Sequence, residues 1–174
     1  MRCLEPVERF ASHWQRDHWC LGWMARQLDI EVIELNGGRG LLGMLAGDQA
    51  HRVIAVNRRL TTAGLDLAVV AHELAHLLLG HASPCVCRAA RHLAPTERLA
   101  WYGAARLVVS GDHLAGLATG RLDPAEIAAM SGVPVELVRL GCTLGDAARP
   151  DLRQSALSHW SAELWGRLRR LQVA

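Results

Sequence analysis

The chain has 174 residues, 51% of them apolar, enough for one compact core with a small appendage. Its 19 basic and 17 acidic residues leave a net charge of +2, which excludes the strongly basic surface of a protein that lives on nucleic acid or anionic lipid. All the basic residues are Arg, a bias that points to a GC-rich, bacterial genome.

The opening residues Met1 to Pro6 lack the apolar stretch of a signal peptide, and no apolar run reaches membrane-spanning length without a charge or a His. A cytoplasmic location is the expectation. Five Cys at irregular positions (Cys3, Cys20, Cys85, Cys87, Cys142) make no disulfide framework, so free thiols are expected.

From Val7 to Leu28, Val7, Phe10, Trp14, Leu21, Met24 and Leu28 recur at helical spacing and predict one or two amphipathic helices. The period then changes. Ile30 to Leu35 reads as a strand, Asn36-Gly37-Gly38 as a turn, Leu41 to Leu45 as a second strand, Gly47-Asp48 as another turn, and His51 to Asn57 as a third strand. Together they predict a small antiparallel sheet with an edge that suits an extended peptide.

The next helix, with Thr61 and Thr62 as candidate caps and Gly80 at its end, carries His72-Glu73-Leu74-Ala75-His76. Two His four residues apart on a helix lie about 40° apart and one turn along the axis, so both imidazoles reach one metal ion. Two His and a Glu set in so apolar a helix are costly unless something satisfies them, and zinc does so. With three protein ligands, zinc keeps a position for water and lowers its pKa to about 7. Glu73, on the flank of the same face, is the expected general base for that water.

After this helix, Gly80 to Cys87 reads as a loop with a lone Cys-x-Cys pair, read as structural or exposed thiols, with redox control or a second metal as the sharper alternative. Pro95-Thr96 opens a helix from Glu97 to Val109, and Glu97 in its first turn is the expected third zinc ligand. His81 competes with it, as do His92, Asp112 and His113. His81 is misplaced for an HExxHxxGxxH pattern, and on a continued helix would lie about 140° from His76. Candidates for an oxyanion donor are Tyr102, Arg106, His92 and His113.

Asp123 to Leu140 has the rhythm of helix, tight turn, helix, with Ala128, Gly132 and Val138 where a helix-turn-helix wants a small residue, a turn Gly and a buried branched residue. Glu136 and a single Arg139 make a poor set for phosphates or base edges, so a packing or docking unit is expected and direct nucleic-acid binding is not. From Pro150 a last helix carries the apolar stripe Leu152, Ala156, Trp160, Leu164, Leu168 and Leu171.

The strand Val53 to Asn57, the helix Ala71 to Leu79 and the series Glu97, Ala100, Ala104, Leu107 and Val108 resemble the ImmA/IrrE metallopeptidases, with Gly103 standing where that pattern has Phe. The resemblance implies an α+β, zincin-like core in which a small antiparallel sheet packs on the helices carrying HExxH, over residues 1–120. A helical, helix-turn-helix-like tail over 121–174 would follow it. Zinc held by His72, His76 and Glu97, with Glu73 as base, would cleave a regulatory protein, a transcriptional repressor by the habit of the family. The alternatives are a zinc hydrolase of small molecules and a zinc-containing binding protein without catalysis.

Overall fold

A computed structural model of the protein describes residues 4–7, 11, 21–38, 40–48, 51–59, 64–81, 84–88 and 94–145. It is an α+β fold: a four-stranded mixed sheet followed by a stack of helices. Among the described residues no helix is long and apolar enough to cross a membrane. The helix expected from Pro150 onward lies outside the described residues, as do Trp14 and the rest of the segment from 12 to 20.

Helix α1 (Leu21–Gln27) leads through Asp29, at φ 52, into strand β1 (Ile30–Leu35). Strands β2 (Leu41–Gly47) and β3 (Arg52–Asn57) follow, and the sheet order is β1-β3-β2 with β4 (Cys85–Arg88) beyond β2. This corrects two expectations. The sheet is not wholly antiparallel, because β1 runs parallel to β3 in the register Ile30↔Arg52 to Leu35↔Asn57, while β2 is antiparallel to β3. And Cys85–Arg88 is a strand, not part of a loop, paired antiparallel with β2.

Both differences have a physical cause. β1 and β2 are not joined as a hairpin: they lie on opposite sides of β3, so the chain crosses from one side of that strand to the other. The buried carboxamide of Asn57 secures the crossing, with its Oδ1 accepting from the Gly37 amide at 3.3 Å and its Nδ2 donating to the Leu41 carbonyl at 2.8 Å. β3, with four consecutive buried residues, is the strand best able to lie inside the sheet. β4 alternates Cys85 in, Val86 out, Cys87 in, and four residues carry too short a period-two signal to be read in advance.

Helix α2 (Leu65–Leu78) lies against the sheet, and α3 (Pro95–Val108) packs on it from the other side. Every residue of α2 from Ala68 to His76 is buried, so the helix is enclosed around its whole circumference there, as a central helix is. Its N-cap is Gly64, at φ 77, directly after the segment 60–63, which lies outside the described residues and includes the expected caps. Gly103 marks the closest approach of the two helices: a Cβ there would come within 2.6 Å of the Ala75 Cβ. That contact explains why glycine stands in the middle of α3, where any larger side chain would push the helices apart.

Helices α4 (Gly111–Ala118), α5 (Pro124–Ser131) and α6 (Val135–Gly145) complete the stack. Asp123 and Glu126 form a capping box at the start of α5, and Gly132, at φ 65, ends it. Ala128 and Val138 are buried as their positions suggested, whereas Glu136 is half-buried rather than solvated. Ile127, Leu137 and Val138 belong to the same apolar core as Leu74 and Leu107, with α6 lying against α3.

Candidate metal centre

The centre is built where α2 and the first turn of α3 meet. Four-residue spacing sets His72 and His76 on one face of α2, and their Nε2 atoms stand 3.0 Å apart. Pro95 and Thr96 start α3 just in time for Glu97 to fall in its first turn, where the helix dipole favours a carboxylate. Glu97 Oε2 lies 3.2 Å from His72 Nε2 and Oε1 lies 3.3 Å from His76 Nε2. Both imidazoles are fully buried, while the Glu97 side chain keeps 23% of its surface exposed and forms the open side of the triangle.

This donor set fits zinc. Three ligands at bonds of about 2.0–2.1 Å from a tetrahedral ion stand about 3.3 Å from one another, close to the separations found here. Two imidazole nitrogens and a carboxylate oxygen are also a borderline-soft set of the kind zinc takes. With both imidazoles neutral and presenting lone pairs, the two nitrogens and the carboxylate oxygens repel one another unless a cation or a shared proton lies among them.

The electrostatics favour the neutral form of His72. Burial, above the opposing hydrogen bond to Glu97, brings His72 down to about 4, so it is uncharged at neutral pH. For Glu97, burial alone would raise the carboxyl, but hydrogen bonds from His72 and His76 together outweigh it and bring the group to about 2. Trp101, one turn after Glu97 on α3, lies over the His72 ring with centroids 4.2 Å apart and 32° between planes. Trp101 is not among the candidates named from the sequence; its four-residue offset from Glu97 is the available sign that both face the same neighbour.

Glu73 lies next to this triangle and is fully buried. Neither of its oxygens has a hydrogen-bond partner of acceptable geometry among the described residues. Burial, then the charge of Glu97, push its carboxyl up to about 8, with the Leu45 backbone pulling weakly the other way. Cys87, on the inner face of β4, forms a second cluster with His72 and Glu73, their potential ligand atoms lying within 4.8 Å of one another. Burial, with Glu73 and Glu97 adding to it, raises the Cys87 thiol far above its usual value and brings Cys85 to about 11. Both are outside any disulfide and stay thiols, which makes them poor nucleophiles and poor redox sensors.

The other candidates are placed differently. His81 is not at the triangle's corner but behind it: its Nδ1 lies 2.8 Å from the Nδ1 of His76, on the side of that ring away from Glu97. The helix does not continue to His81, so the 140° expected from a straight helix does not apply. Asp112 and His113 sit in the first turn of α4, where Ser110 Oγ accepts from the His113 amide, and neither joins a metal-capable cluster among the described residues. His92 lies outside the described residues. The Tyr102 hydroxyl is buried without a partner among the described residues, and burial raises its pKa.

A mixed sheet backed by a helix bearing two His and a Glu, with a carboxylate delivered by the following helix, brings together a group able to hold a metal ion. The family model of the IrrE N-terminal-like domain, peptidase family M78, matches residues 25–142, and the chain belongs to this family. A metallopeptidase of the IrrE and ImmA kind, with protein as its substrate in general, follows from that membership. Searches of curated proteins and of solved structures returned no match.

Proposed function

We propose that the protein is a zinc-dependent endopeptidase of the cytoplasm that cuts a specific regulatory protein, a transcriptional repressor. In this reading His72, His76 and Glu97 hold zinc, and Glu73 is the general base. When bound, zinc supplies a Lewis acid that polarises the scissile carbonyl and acidifies a water. Glu73 accepts the proton of the attacking water and delivers it to the leaving amine. Trp101 and the closed α2–α3 contact keep His72 in place and exclude water from its far side.

The observation that carries this reading is the state of Glu73. A carboxyl buried beside the ligand triangle, with no hydrogen-bond partner of acceptable geometry among the described residues and its proton affinity raised by burial, is costly to the fold; a cation held at the triangle would favour its ionised form, the form a base needs near neutral pH. A zinc site with a purely structural role is closed by four protein ligands and has no use for such a group. The substrate would lie as an extended peptide along β4, the edge strand whose Cys87 clusters with Glu73 and His72.

The test is to incubate the zinc-loaded protein with the proteome of its host and to map new protein N-termini. The reading expects a small set of new termini, in a repressor, produced by the wild type and absent with Glu73→Gln. Identical sets of termini from both proteins would contradict it.

A further inference from the structure

The end of α2 is a turn that folds the chain back onto the helix. Gly80, at φ 70, allows it: the Gly80 amide donates to the Leu77 carbonyl at 3.0 Å and the His81 amide to the His76 carbonyl at 3.0 Å. These two bonds make a Schellman motif, which satisfies the last carbonyls of a helix and reverses the backbone. His81 is thereby tied to His76 twice, through its amide and through its ring, with the two Nδ1 atoms at 2.8 Å and the ring planes 64° apart.

The two nitrogens of His76 face different partners: Nε2 faces His72 and Glu97, and Nδ1 faces His81. In a neutral imidazole only one nitrogen carries a hydrogen, and a metal takes the other. If His76 is to offer a lone pair at Nε2, its hydrogen must be on Nδ1, and that N–H then donates to His81 Nδ1. The opposite arrangement, with His81 donating, puts the hydrogen on Nε2 of His76 and closes that atom to a metal. An acceptor fixed behind a ligand imidazole is the usual means of selecting tautomer and ring orientation, most often a carboxylate or a carbonyl.

We propose that His81 is the positioning residue of the metal centre: the Schellman turn at Gly80 holds its Nδ1 as the acceptor that fixes His76 in the metal-binding tautomer. This rests on the zinc reading given above. It assigns to His81 neither a bond to the metal nor contact with substrate.

The test compares zinc affinity, by competition with a chromophoric chelator, in the full-length wild type, His81→Leu and His81→Asn. Leu keeps bulk without an acceptor, while the Asn side-chain oxygen stands about where the ring Nδ1 does. His81→Leu should bind zinc about 10- to 100-fold more weakly, the usual effect of removing such an outer partner. His81→Asn should recover most of that loss, and the metal-free melting temperature of His81→Leu should stay near that of the wild type. Undiminished affinity in His81→Leu, or equal losses in Leu and Asn, would overturn the proposal while leaving the zinc reading intact. A wild type that takes up no zinc would remove both.

Discussion

The two helices that make the centre contribute to it in opposite ways. α2 delivers His72, Glu73 and His76 from a segment with no exposed residue between Ala68 and His76, so their positions are fixed by the packing of the core. α3 delivers Glu97 from its first turn, with 23% of that side chain open to solvent, and its position depends on how closely α3 approaches α2. Burial gives the α2 residues rigidity and shifts the proton affinities of His72 and Glu73, whereas Glu97 keeps the centre partly open to solvent. In the proposed mechanism the rigid half sets the chemistry and the open half admits the substrate.

The sharpest separation of the two halves is Glu73→Gln. It keeps the shape of α2 and removes only the proton acceptor, so peptide cleavage should fall by about 10²- to 10⁴-fold. Zinc content should be unchanged, and metal analysis alongside a cleavage assay checks both. Next in size, His72→Ala empties a fully buried site under Trp101 and should destabilise the metal-free protein by about 2–4 kcal/mol, as other truncations of large buried side chains do. Glu97→Ala, at the open side, should cost less than half as much in the same urea titration, although both variants lose metal.

Gly103→Ala probes the contact between the halves. The added methyl meets the Ala75 Cβ, so α3 must shift, with an expected cost of about 1–3 kcal/mol and a weaker hold on zinc through displacement of Glu97.

The smallest effect is in pH dependence. Glu73, raised from 4.5 to about 8, binds a proton in the folded state that the unfolded state has released. Its contribution therefore falls as pH rises from 4.5 to about 8. His72, lowered from 6.5 to about 4, acts in the other sense: its contribution is present above 6.5 and is lost as pH falls toward 4. The two oppose each other between 4.5 and 6.5, leaving the window from 6.5 to 8 to Glu73. Metal-free wild type should lose stability across that window, and Glu73→Gln should be flatter; thermal melts in chelator at a series of pH values measure the difference.

Much of this arrangement was legible in the sequence, because it is local. The His72, Glu73 and His76 spacing is a property of one helix, and the start of α3 at Pro95-Thr96 fixed Glu97 in its first turn. What was not legible depends on contacts between distant segments. The parallel pairing of β1 with β3 requires the chain to cross over Asn57, which no periodicity encodes. β4 is defined by its partner β2, and its four residues alone do not distinguish a strand from a loop. Gly103 looked like a departure from a family pattern; in the fold it is the place where two helices touch. The position of His81 follows from the turn at Gly80: the helix end is legible in the sequence, but the reversal that a positive φ there imposes is not.

The central claim is that His72, His76 and Glu97 hold zinc while Glu73 acts on a proton. Its most direct test is elemental analysis of zinc in wild type, Glu97→Ala and Glu73→Gln, each purified without added metal. The account predicts one zinc per chain in wild type and in Glu73→Gln, and loss of most of it in Glu97→Ala. Full zinc in Glu97→Ala, or none in the wild type, would contradict it.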